Sequence, residues 1–222
     1  MPTHIRACVF DAYGTLFDPL SVQQKAESIF PGKGEALSRL WRSRQLEYTW
    51  LRSLMDRYAD FWQVTRDALI YASRSLELSC DASQQEELMQ EYLCLDLYPD
   101  VASGIRAMPV QRRAILSNGT PRMLQAVVEH AGLKQAFAML LSVDRVKTYK
   151  PSPAVYQLAV EDLRLSKNEI GFVSSNYWDA AGAASFGFQA WWLNRSRQAA
   201  DELGISPRAT IASLRELATW AG

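Results

Sequence analysis

From Val101 onward the chain alternates between two hydrophobic periods, and this alternation constrains its fold more than any other feature. Helical spacing over Val101 to Met108, Pro121 to His130, Pro153 to Asp162 and Asp179 to Phe186 interleaves with short apolar runs at Arg113 to Ser117, Met139 to Ser142, Glu169 to Ser174 and Gln189 to Leu193. Gly132 marks a helix end. Strand, helix, strand in succession builds a parallel sheet covered on both faces, an α/β doubly wound architecture with right-handed crossovers. One further apolar run, Ile5 to Phe10, breaks at Asp11 into a loop containing Gly14 and Thr15, and is read as a strand of the same sheet.

Between Ser21 and Leu95 the character is helical throughout. Leu37, Leu40, Trp41, Tyr48, Leu51, Met55 and Tyr58 follow one helical face. Pro31 and Gly32 separate a first helix from this long one, and Asp67 to Leu78 and Ser83 to Leu93 supply two more. The lobe is expected as an all-helical insertion over 18–96, dividing a core made of 1–17 and 97–222. The polar tail from Asn194 to Pro207 reads as a loop over one end of the sheet.

Composition narrows the function. Twenty-four basic side chains balance 24 acidic ones, so there is no broad electrostatic footprint for nucleic acid or an anionic membrane. No uninterrupted apolar run of about 18 residues occurs and no charged n-region with an apolar h-region opens the chain, so a soluble cytoplasmic protein is expected. Cys8, Cys80 and Cys94 form no disulfide framework or zinc set and are read as small buried hydrophobes. His4 and His130 are the whole histidine supply, in no catalytic context, which argues against histidine-based hydrolysis. A small-molecule partner fits best.

In open parallel sheets ligands bind beyond the carboxyl ends of the strands. Those ends carry Asp11, Tyr13, Gly14 and Thr15; then Ser117, Asn118 and Gly119; then Lys147 and Lys150; then Ser174, Ser175, Asn176, Trp178 and Asp179. Asp11 alone could be a turn former. Set beside Lys150 and Asp179, it becomes one of two carboxylates sharing an ammonium, an arrangement suited to a carboxylate nucleophile.

FDAYGTLFD, AILSNGT, YKPSPAVY and FVSSNYWDAAGA, met in that order at the strand ends, resemble the haloacid dehalogenase superfamily, and more narrowly its L-2-haloacid dehalogenases. The resemblance also covers WRSRQLEYTWLRSLM in the lobe and implies a Rossmann-like core with a helical cap. Superfamily phosphatases need magnesium to offset phosphate charge and carry a D-x-D loop with further acids at the fourth strand end. Here Tyr13 and Ser175 stand at two of those places, so no metal and no cofactor are expected. The resemblance implies attack of Asp11 on C2 of a short 2-haloacid, halide release with inversion, and hydrolysis of the aspartyl ester. A phosphatase with an altered metal site and a non-catalytic binding protein are the alternatives.

Roles follow from the same resemblance. Arg42 would meet the halogen or the substrate carboxylate, whereas Arg39, Arg44 and Arg52 are read as surface residues. Ser117 and Asn118 would hold the substrate carboxylate or orient the nucleophile. Lys150 would keep Asp11 ionised and pair with Asp179, Lys147 being solvated. Thr15, Ser174 and Asn176 would position the carboxylates and the hydrolytic water, and the base for that water is left open. Tyr13, Leu46, Phe61 and Trp178 would form apolar pocket walls, and Tyr156 would lie near the site. Ser43 follows Arg42 where the family pattern suggests a longer polar side chain such as glutamine, which bears on chain-length preference. A homodimer is expected, with some of Trp41, Trp50 and Trp62 facing the second subunit.

Overall fold

Six strands lie parallel in the order β3-β2-β1-β4-β5-β6, so the chain reverses its winding direction at β1 (Ala7–Phe10), which pairs with β2 (Arg113–Ser117) on one side and β4 (Ile170–Ser174) on the other. The coordinates are a computed structural model that describes residues 4–219. Residues 1–3 and 220–222 of the expected core lie outside the described residues. β3 is Met139–Ser142, β5 Gln189–Leu193 and β6 Ala209–Ile211. β1 and β4 are buried at every position, as expected of central strands covered on both faces.

Helices α5 (Val101–Ala107), α6 (Pro121–His130), α7 (Pro153–Leu163) and α8 (Tyr177–Phe186) follow their expected places to within a few residues. α6 starts where Thr120 accepts a hydrogen bond from the Met123 N–H and Pro121 fills the first turn. α8 begins two residues before the expected Asp179, which puts Trp178 and Asp179 in its first turn.

All four lobe helices fall between β1 and β2: α1 (Gln23–Ile29), α2 (Gly34–Leu54), α3 (Phe61–Ser75) and α4 (Ala82–Glu91). α3 starts six residues earlier than its spacing suggested, because Asp60 caps the Gln63 N–H at 2.9 Å. α2 is shorter than expected. Met55 and Tyr58 continue its apolar period, yet the helix closes at Leu54 when Asp56 adopts φ 54° and the Arg57 and Asp56 N–H groups bond back to the Arg52 and Ser53 carbonyls. Tyr58 instead crosses to the core, donating its hydroxyl to Asp144 and lying 5.2 Å from the Tyr149 ring.

Other expectations are corrected by packing. Trp41 is fully buried, donating Nε1 to the Thr65 carbonyl at 2.7 Å, so it faces the lobe interior and no second subunit. Trp50 and Trp62 are half-buried, against Trp178 and beneath Arg122. Only Cys8 is buried, while Cys80 and Cys94 are partly exposed. The polar tail after β5 leads into β6, an edge strand the sequence pattern did not reveal because only Ile211 of its three residues is buried. Among the described residues no helix is long and apolar enough to cross a membrane.

Candidate active site

The turn that follows β1 places Asp11 over the carboxyl edge of the sheet at its reversal point. Gly14 makes that turn possible: its φ is +95°, a conformation that side chains rarely adopt, and its N–H bonds the Phe17 carbonyl at 2.7 Å. Asp11 is 5% exposed. Its Oδ1 accepts from Lys150 Nζ at 3.0 Å, and its Oδ2 accepts from Thr15 Oγ1 and Asn176 Nδ2, both at 2.9 Å, with Ser174 Oγ at 3.5 Å.

Behind Asp11 lies a buried ionic cluster. Lys150 Nζ also donates to Asp179 Oδ2 at 2.9 Å, and the Tyr156 hydroxyl donates to Asp179 Oδ1 at 2.8 Å. Burial pushes Asp179 up to about 6, with Lys150 opposing and the like charge of Asp11 adding. Burial alone would lower Lys150, but the two carboxylates outweigh it and raise its pKa. Tyr156 is held well above the ordinary phenol value by burial and by Asp179. An ammonium bridges Asp11 and Asp179, and Ser175, whose N–H bonds Thr15 Oγ1, adds no carboxylate to the cluster. Among the described residues no three His, Cys, Asp or Glu side chains are grouped to hold a metal.

In front of Asp11 is a small, partly open chamber of about 10 Å³. Tyr13, Arg42, Leu46, Phe61, Ser117, Asn118 and Trp178, the seven residues expected to meet substrate, all line it together with Asp11 and Asn176. Thr15, Lys150, Tyr156, Ser174 and Asp179 sit behind Asp11 and do not line it. Ser117 Oγ accepts from the Gly119 N–H at 3.0 Å, and Asn118 Oδ1 accepts from the Lys150 N–H at 3.2 Å. Glycine is required at 119 because a Cβ there would lie 2.7 Å from Tyr13 Cε2.

Arg42 reaches from α2 across to the core, donating to the Tyr13 carbonyl at 3.0 Å and to Gln45 Oε1 at 2.6 Å. Its neighbours Arg39 and Arg44 pair with Glu35 and Glu47 on the helix surface, as expected, whereas Arg52 is drawn against Asp67 of α3. Lys147 is exposed, lying 5.1 Å from the Tyr58 ring. A vestibule of about 390 Å³ adjoins the chamber and shares Arg42, Leu46 and Asn176 with it. Ser43 lines the vestibule and not the chamber.

Two participants were absent from the sequence reading. Gln45, fully buried, steadies Arg42 and donates to Thr65 Oγ1 at 2.6 Å. A polar residue on the buried face of α2 was the available signal. Arg195 reaches Thr15 and Ser175 from the tail after β5, and no local pattern marks it.

Known proteins resemble this chain in sequence and in fold. The profile of the haloacid dehalogenase-like hydrolase family matches residues 5–187. The (S)-2-haloacid dehalogenase of Pseudomonas sp. (strain YL) is 48% identical over 96% of this chain and 92% of its own length. Haloacetate dehalogenase H-2 of Moraxella sp. (strain B) is 44% identical, with 93% of each chain covered. The structure of L-2-haloacid dehalogenase from Xanthobacter autotrophicus with chloropropionic acid covalently bound superposes with a TM-score of 0.93 at 40% identity, covering 96% of this chain and 97% of that one.

Proposed function

The chain belongs to the haloacid dehalogenase-like hydrolases, and from that premise we propose that it is an (S)-2-haloacid dehalogenase converting short L-2-haloalkanoates to D-2-hydroxy acids without a cofactor. The observation that carries the reading is Asp11 lining a small chamber that mixes apolar side chains with Arg42, Ser117 and two asparagines, its Oδ1 bonded to one ammonium and its Oδ2 to two neutral donors.

In the first step Asp11 Oδ1, the less encumbered oxygen, attacks C2 from the side opposite the halogen. The carbon–halogen bond breaks, halide leaves with the bonding pair, and an aspartyl ester forms with inversion at C2. Tyr13, Leu46, Phe61 and Trp178 keep the chamber dry, which strengthens each charge interaction inside it. The hydrogen bonds of Arg42 go to neutral groups, so its charge serves the departing halide or the substrate carboxylate. Ser117 and Asn118 hold that carboxylate or orient the nucleophile.

In the second step water adds to Cγ of the ester. Negative charge then collects on Oδ2, where Thr15 and Asn176 already stand as donors, a preorganised oxyanion site. The C–O bond to substrate is left intact, and the tetrahedral adduct collapses to the hydroxy acid and a free Asp11. Asp179, raised toward neutrality, is suited to take the proton of that water, relayed by Lys150, and Tyr156 and Ser174 fix the cluster in place.

We assign 1–17 and 97–222 to the catalytic core and 18–96 to the cap, since the chamber is walled by residues of both. A cytoplasmic homodimer completes the reading. Leu51, Leu54 and Met55, at 43%, 84% and 61% exposure, form an apolar end of α2 that a second copy would cover. Light scattering should give a dimer mass, and a monomer would refute that part.

A single turnover on L-2-chloropropionate in H₂¹⁸O with excess enzyme tests the chemistry. The expected result is unlabelled D-lactate and ¹⁸O in the peptide containing Asp11, with halide release unaffected by chelators. Label found directly in lactate would mean that water displaces chloride. Turnover that needs magnesium would favour the phosphatase-like alternative.

A further inference from the structure

We propose that Arg195 is a positioning residue for the nucleophile, acting through Thr15 and Ser175; the inference rests on the role of Asp11 given above. Arg195 belongs to none of the strand-end motifs. Its guanidinium nevertheless reaches back to two of those ends at once. Nη2 donates to the Thr15 carbonyl at 3.0 Å and Nη1 to the Ser175 hydroxyl at 3.2 Å. Nε donates to Asp100 Oδ1 at 3.0 Å, and the guanidinium lies 4.2 Å from the centre of the Tyr98 ring. The side chain is 18% exposed.

The two loop contacts close a ring beside Asp11. The Ser175 N–H donates to Thr15 Oγ1 at 2.8 Å, and Thr15 Oγ1 donates to Asp11 Oδ2 at 2.9 Å. Arg195 therefore holds the Thr15 carbonyl and the Ser175 side chain, while Thr15 holds the Ser175 backbone. Turning the Thr15 hydroxyl away from Asp11 also breaks its bond from the Ser175 N–H, and Arg195 fixes the backbone on both sides of that bond, at the Thr15 carbonyl and through the Ser175 hydroxyl. Asp100 makes the guanidinium a fixed point, because it also accepts from the Leu214 N–H at 2.8 Å and from Ser213 Oγ at 3.3 Å. A rigid fork of donors can span Asp100, Ser175 and Thr15 simultaneously, and a lysine ammonium on a flexible stem cannot.

Position also separates this role from substrate binding. Arg195 lines the vestibule and not the chamber, so replacing it leaves the substrate's own contacts in place and disturbs the aim of the carboxylate. A displacement of about 1 Å in a reacting group is enough to cost about 100-fold in rate. A purely structural ion pair with Asp100 predicts otherwise: lysine would substitute, and any loss would track the fraction of unfolded protein.

Arg195→Gln and Arg195→Lys are the variants to compare in single turnover with enzyme raised to saturation, where the limiting first-order constant is independent of how much protein is folded. Both should lose about 10- to 100-fold in that constant while KM moves less than about twofold, and added guanidinium ion should partly restore the Gln variant. A wild-type constant in Arg195→Lys, or a Gln variant changed only in melting temperature, would overturn the proposal. A crystal structure of Arg195→Gln without substrate separates this claim from the dehalogenase reading. Thr15 Oγ1 should move out of hydrogen-bond range of Asp11, and an unchanged Thr15 would overturn the positioning role whatever the wild type hydrolyses.

Discussion

Lys150 Nζ lies 2.9 Å from Asp179 Oδ2, and the two side chains are 1% and 0% exposed. The same ammonium is 3.0 Å from Asp11 Oδ1, so a single cation screens two buried anions from one another. Removing it should be costly in a particular way. Lys150→Met leaves both carboxylates uncompensated and should destabilise the protein by about 3–5 kcal/mol in urea unfolding. The double variant Lys150→Met/Asp179→Asn should recover part of that loss. A Lys150→Met protein as stable as wild type would contradict the screening role.

The raised Asp179 makes stability depend on pH with a definite sign. Burial brings its pKa from 3.8 to about 6, so the folded protein binds this proton more tightly than the unfolded chain does. Its contribution to stability is therefore present below about 4, falls as pH rises to about 6, and is constant above. The span is about 3 kcal/mol. Asp179→Asn should lack this fall, and parallel unfolding curves for the two proteins across that window would sink the assignment. Lys150, raised above 10.5, adds stability that is lost only as pH climbs through its folded value.

Asp11→Asn removes the nucleophile while keeping its shape, and halide release should drop by at least about 1,000-fold. Stability should hold, because the buried cluster then contains one cation and one anion. Intact-mass spectra of the wild type trapped during turnover should show the ester adduct, and those of the variant should not. Residual turnover near the wild-type rate would remove Asp11 from the chemistry.

Ser43 sits on the vestibule side of Leu46. Ser43→Gln would extend a polar side chain into that space and should lower kcat/KM for 2-chlorobutyrate relative to 2-chloropropionate by about tenfold, the low end of what one methylene is worth in discrimination. The ratio between these two substrates is the measurement. An unchanged ratio would place chain-length selection entirely within the chamber.

Much of the architecture was legible because it rests on local rules. β2, β3, β5 and α6 fall on the residues where period and turn chemistry placed them, since alternation, a Thr120-Pro121 start and a Gly132 stop all act within a few residues. The site was legible for a related reason. A parallel sheet delivers every strand end to one edge, so Asp11, Ser117, Ser174 and Asp179 had to meet once the strands were placed, and the seven residues assigned to the pocket do share one chamber.

The failures were not local. Tyr58 keeps the apolar period of α2, and only its attraction to Asp144 and Tyr149, some ninety positions away, shows why the helix stops short of it. Of Trp41, Trp50 and Trp62, some of which were expected at a second subunit, Trp41 is buried within the lobe, because an apolar helix face does not say which neighbour it packs against.

What the sequence by itself determined is therefore the order of the first five strands and their helices in the chain and the edge at which polar groups gather. Tertiary structure alone decided that Gln45 steadies Arg42 and that Arg195 ties down Thr15 from 180 positions along the chain. The physical reason is range. Backbone preference and hydrophobic period couple residues a few positions apart, whereas a charged side chain on a polar loop acquires its partners only when the fold brings distant segments within about 3 Å of each other.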